Sequence, residues 1–135
     1  MNPFDMLDTP VVKTLPFEEL ADQTAEWEPC GSRITCNPPV MNTDADYLVR
    51  TGNLIRFVET ALLSGWENGG SFMDEGKPDV MHFVSLRKDD ANLIVTRSPE
   101  FYRRFHAATV IATELNILDK PKRVRVFQAV LYGNV

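Results

Sequence analysis

Only two cysteines, Cys30 and Cys36, and two histidines, His82 and His106, occur in 135 residues. That scarcity excludes a disulfide-framed scaffold and leaves no His/Cys spacing suited to zinc. Reduced thiols in an intracellular protein are expected, with a Cys30–Cys36 bridge across the intervening loop as the alternative. Long apolar runs are also missing. Stretches such as Val110-Ile111-Ala112 are far too short to cross a bilayer, so no membrane partner is expected. No basic segment followed by an apolar one opens the chain, so no signal peptide is read and a cytoplasmic location is expected. No serine or cysteine has the context of a nucleophile elbow. Repeats, low-complexity segments and linkers are absent too. One domain over residues 1–135 is expected, with residues 1–13, which lack periodicity, as an arm.

What is present is a globular composition, 44% hydrophobic and 24% charged, enough for a core without staples. The net charge of −5 conceals a gradient. Residues 1–46 carry nine acids against Lys13 and Arg33, whereas residues 87–125 carry nine bases against five acids. Such a gradient suits a site with cations on one wall and an anion on the other, although charge runs are more often solvated faces.

Periodicity and punctuation define the elements. Thr14, Pro16 and Glu18-Glu19 predict a helix running to about Ala25. Trp27 to Cys30 reads as a strand ending at Gly31-Ser32. Asn37-Pro38-Pro39 makes residues 33–43 a loop. Asp46 to Arg50 reads as a strand and Leu54 to Leu63 as a helix stopped near Gly65. Residues 67–79, with Gly69-Gly70, Gly76 and Pro78, form a loop. Met81–Leu86 and Asn92–Thr96 are strands joined by a hairpin turn. Ser98-Pro99-Glu100 starts a helix with a stripe of Phe101, Phe105, Ala108, Ala112 and Leu115. Asp119 with Pro121 starts the last helix, stopped by Gly133. This order predicts an α+β fold: a small mixed sheet of about four strands flanked by helices.

The chemistry concentrates in Asp44-Ala45-Asp46. On a strand, residues two apart share a face, and paired carboxylates there suit hard divalent cations. Twelve residues upstream, Gly31-Ser32 follows a candidate strand; glycine lets backbone approach a phosphate, and serine adds a hydroxyl and an N–H. Gly31-Ser32-Arg33, a loop, then Thr43-Asp44-Ala45-Asp46-Tyr47-Leu48-Val49 resembles the signature of the nucleotidyltransferase superfamily that includes DNA polymerase beta. Phe83–Arg87, Asn92–Thr96 and the helical stretch Glu100–Tyr132 are similar to the later elements of its small phage-type members.

The resemblance implies a minimal nucleotidyltransferase-like fold and transfer of a nucleoside monophosphate from a nucleoside triphosphate to a hydroxyl on a protein, RNA or small molecule. A phage-encoded member would act in the host cytoplasm. Gly31 and Ser32 would touch the triphosphate, with Arg33 beside them, and Asp44 and Asp46 would hold Mg2+. The family's third carboxylate falls at Asn92, whose oxygen can bind metal but cannot act as a base. Asp90 shares that face if the strand extends to it, and is the expected base. Arg87 and Lys88 are candidates for phosphate neutralisation, with a solvated strand end as the ordinary alternative. Lys120, Lys122 and Arg123 open the last helix, where the dipole disfavours cations, so an anionic partner is a further candidate. His106 is expected to be solvated, and the methionines to serve packing. The alternative function is a binding module of this fold that has lost catalysis and engages a nucleotide or a host factor. Nucleic-acid binding by the basic C-terminal third is the weakest reading, given the overall acidity.

Overall fold

The computed structural model describes residues 15–41, 44–69 and 83–133. The expected arm, the middle of the glycine-rich loop, His82, Met73 and Met81 lie outside them. A 3-10 helix, Glu18–Gln23, leads into β1, Thr24–Cys30. The short α1, Ser32–Thr35, follows, then β2, Ala45–Thr51, and α2, Leu54–Leu63. Next come β3, Glu67–Asn68, β4, Val84–Lys88, and β5, Ala91–Thr96. Two helices close the described chain: α3, Pro99–Glu114, and α4, Lys120–Tyr132. The five strands form one mixed sheet in the order β1-β2-β5-β4-β3. The central pair, β2 and β5, is parallel and every other pair is antiparallel. The fold is α+β, as expected, with five strands among the described residues where about four were expected.

The local reasons are short-range. Ser98 caps α3 by accepting the Phe101 N–H at 3.1 Å, with Pro99 behind it. Asp119 caps α4 through Lys122 N–H at 3.2 Å, and Gly133 ends it in the left-handed region at φ 57°. Asn53 caps α2 by accepting the Arg56 N–H at 3.1 Å. Asp89, at φ 53°, makes the tight turn between β4 and β5, a conformation aspartate tolerates better than most residues.

Alternation along the strands divides the core in two. Leu48 and Ile94 face α3 and α4, packed with Phe83, Phe101, Phe105, Phe127 and Leu131. Val49, Leu93 and Val95 face α2 and the 3-10 helix, packed with Phe17, Leu20, Phe57 and Trp66. On this second face the Phe17, Trp27 and Tyr47 rings meet edge-on at 5.7–6.0 Å between centroids. Both faces of the central strands are therefore dry, which explains their unbroken apolar runs.

Several expectations need correction. The helix expected to run to Ala25 is a 3-10 helix ending at Gln23, because Thr24 pairs with Thr51 and Glu26 with Arg50 in the sheet. Residues 33–35 are helical, not loop, so one turn forms before the Asn37-Pro38-Pro39 segment. Glu67 and Asn68 pair with Arg87 and Leu86, adding an edge strand where a loop was expected. Leu115 is 66% exposed, because α3 stops one residue earlier and turns its stripe away. Both cysteines are buried and free.

A two-faced core has a measurable signature. Leu48→Ala and Leu93→Ala, on opposite faces, should each cost about 2–5 kcal/mol in denaturant unfolding. Were either face wet, one of the two would be close to silent.

Candidate functional site

The end of the sheet where β2 and β5 begin opens into a cleft of about 470 Å³ between the α3/α4 face, α1 and the start of α4. Gly31, Ser32, Asp44, Asp46, Arg87 and Asn92 line it, with Lys120 and Arg123 opposite. Strand register explains the grouping. Asp46 pairs with Cys30 on one side and Asn92 on the other, and Asn92 pairs with Arg87. Paired residues on adjacent strands project from the same face, so one row across the sheet supplies an acid, an amide and a cation.

That row is joined by hydrogen bonds. Asn92 Nδ2 donates to Asp46 Oδ1 at 3.1 Å, and Ser85 Oγ donates to Asn92 Oδ1 at 2.7 Å. Asn92 and Ser85 are both buried, at 6% and 7% exposure, so neither has water as an easy substitute. Asp44 is held separately by Arg87 at 3.0 Å. Two glycines cover the row. Gly31 has φ 79°, and an added Cβ there would overlap the Asp46 carboxylate. A Cβ on Gly69 would fall 2.7 Å from Ser85 Oγ and 3.3 Å from Asn92 Oδ1.

Burial raises the Asp46 pKa above the ordinary carboxylate value, and the neighbouring Asp44 adds to the rise. The Asn92 hydrogen bond and the charges of Arg87 and Lys120 work against it without cancelling it. The same surroundings push the buried Cys30 thiol well up, through desolvation first and then Asp46 and Glu28. Cys30 is therefore an inert packing thiol rather than a nucleophile.

Not every expected site residue joins the cleft. Asp90 lies in the hairpin turn, because β5 begins at Ala91 and the strand does not extend far enough to turn its carboxylate inward. Its backbone oxygen accepts the Ala45 N–H at 2.7 Å, and its exposed side chain pairs with Arg33 at 3.9 Å. Arg33, Lys88 and Asp90 instead line a second hollow with Tyr47 and Trp66, residues of the α2 face. Lys88 is committed there, donating to Ser64 O at 2.8 Å and standing 3.6 Å from Glu19. Arg123 reaches the cleft but also donates to the Ile117 and Leu118 carbonyls at 2.9 and 2.7 Å. His106 is not simply solvated: its Nδ1 lies 2.7 Å from Glu28 Oε2. Ser85 and Gly69 escaped the sequence reading. The available signal was alternation, since Ser85 stands two residues before Arg87 and so shares its face.

Asp44 and Asp46 are the carboxylates that could hold a divalent cation, with the Asn92 oxygen as a third donor of the same hard type. A cation would relieve the charge that burial penalises at Asp46, and would compete with Arg87 for Asp44. Among the described residues no cluster of three or more His, Cys, Asp or Glu side chains is placed to bind a metal. Among the described residues, too, no helix is long and apolar enough to cross a membrane.

No protein-family model matches the chain, and no curated protein matches it. Among solved structures it is similar to the conserved protein GrpB from Enterococcus faecalis. The identity is 15%, the TM-score 0.47, and the match covers 87% of this chain and 86% of that one.

The raised Asp46 pKa fixes the sign of a pH effect. A carboxyl group that is harder to ionise when folded lowers stability as pH rises from its unfolded pKa through its folded one. Asp46→Asn, which keeps an oxygen for the Asn92 amide, should raise the Tm by a few degrees at pH 7 in chelator. The gain should shrink as pH falls into the carboxylate range. A Tm advantage independent of pH would contradict this account of Asp46.

Proposed function

We propose that the cleft binds the triphosphate end of a nucleotide together with Mg2+, and that the chain is a nucleotidyltransferase-like protein that holds this ligand without base-assisted turnover. One observation carries the reading: Ser32, Asp44, Asp46, Arg87 and Lys120 line a single cleft in which the third polar position is an amide, Asn92. The division of labour follows from charge. Arg87 and Lys120 suit phosphate oxygens, the Ser32 hydroxyl and the tight approach at Gly31 suit the phosphate backbone, and the carboxylates suit the cation. When bound, Mg2+ would neutralise phosphate charge and orient the chain of phosphates. Asn92 has no basic lone pair to take a proton. Base assistance is ordinarily worth about 10²–10⁴-fold in rate, so its loss separates holding from transfer.

Transfer itself is the second reading, favoured by the common face of Asp44 and Asp46. There an acceptor hydroxyl on a protein, RNA or small molecule attacks the α-phosphorus. The α–β bond breaks, pyrophosphate leaves, and the hydroxyl proton passes to water.

Calorimetric titration of the four nucleoside triphosphates with Mg2+ should show binding, and Arg87→Ala should weaken it by about tenfold. Incubation with α-labelled nucleotide, Mg2+ and cell extract should label nothing. Label transfer that disappears in the Asp44→Asn, Asp46→Asn double variant would replace holding with transfer. Absence of nucleotide binding would overturn both.

A further inference from the structure

The buried amide of Asn92 has two partners with different demands. Asp46 Oδ1, at 3.1 Å, can only accept while the carboxylate is ionised, so it requires the NH2 end. Ser85 Oγ, at 2.7 Å, is indifferent: a hydroxyl donates to the amide oxygen or accepts from the amide nitrogen. Gly69 lies so close over the pair that no side chain fits above it, which keeps hydroxyl and amide as each other's partner. The orientation of Asn92 is thus decided by the charge beside Asp46, and Ser85 satisfies either outcome.

We propose that Ser85 is a positioning residue whose hydroxyl lets the Asn92 amide reverse, presenting NH2 to Asp46 alone and oxygen to a divalent cation seated against Asp46. This rests on the reading of the cleft as a cation-holding site. Without a cation, the reversed amide would set two oxygens against each other. With one, the amide oxygen becomes a ligand and the NH2 turns to Ser85 Oγ. In either state the Asn92 amide keeps a partner at both its oxygen and its NH2 end. No covalent step is involved, and Ser85 touches neither nucleotide nor cation.

The probe is Mg2+ alone, titrated calorimetrically into chelator-treated full-length protein. Ser85→Ala strands the amide oxygen before Mg2+ binds and the NH2 afterwards; a buried N–H tolerates this less well than a carbonyl oxygen, so Mg2+ should bind about two- to fivefold more weakly than to the original chain. Ser85→Cys, a poor acceptor, should fall between them. Both variants should unfold in a single cooperative thermal transition in chelator, which reports that they fold. A second measurement needs no variant: in 15N-labelled protein, saturating Mg2+ should move the Asn92 side-chain NH2 signals upfield as they leave the carboxylate. Equal Mg2+ affinity in Ser85→Ala, or Asn92 signals that do not move, overturns the proposal. So does absence of Mg2+ binding by the original chain, a result that leaves nucleotide binding to its own titration. Loss of nucleotide binding with the Ser85 effect intact would instead overturn the reading of the cleft and spare this inference.

Discussion

The hydrogen-bonded row Ser85–Asn92–Asp46 runs across three neighbouring strands, β4, β5 and β2, at the end where the parallel pair begins. Everything at the cleft depends on it. A half-buried acid needs a donor, the donor is a buried amide that needs a partner for its oxygen, and that partner comes from the next strand. The register that aligns Asp46 with Asn92 and Arg87 is the register that puts Leu48 and Ile94 against the helices. A slip of one residue would turn the polar row into the α2 core and the apolar row into the cleft. Core and site therefore enforce each other's alignment.

The cover of this row is backbone rather than side chain. Gly31 reaches the Asp46 carboxylate from the β1–α1 junction, and Gly69 reaches Ser85 and Asn92 from the end of β3. Neither position tolerates a Cβ, so the close approach constrains sequence as strongly as the polar row does. The two glycines come from opposite edges of the sheet, since β1 and β3 are its outer strands. The cleft is bounded by the sheet's full width even though its chemistry occupies the centre.

Much of this was legible from residues alone. Ser98-Pro99-Glu100 and Asp119 with Pro121 announce helix starts because capping is local, and both helices begin there. Asp44, Asp46, Gly31 and Ser32 were singled out by spacing, and all four line the cleft. What could not be read depended on partners distant in the chain. Thr24 and Ala25 carry a helical pattern, yet β1 claims them, Thr24 by pairing with Thr51 and Ala25 at the register shift beside it. Glu67 and Asn68 look like loop until β4 lies beside them. Asp90 looks like a base by parity, but a positive φ at Asp89 ends the ladder first and sends its carboxylate towards Arg33. Ser85 is an unremarkable strand serine until Asn92 is known to face it.

With Arg87 and Asp44 neutralising each other, Lys120 and Arg123 outweigh Asp46 and give the cleft a local charge opposite to that of the molecule. Lined by Asp44 and Asp46 against Arg87, Lys120 and Arg123, its ionised side chains among the described residues sum to +1 while the chain carries −5. An anion approaching from afar meets repulsion, and one already inside meets attraction. Salt screens the first interaction more than the second, because the Debye length at physiological ionic strength is about 8 Å and the contacts in the cleft are shorter. Capture of an anion here is thus a short-range event that moderate ionic strength assists before it hinders.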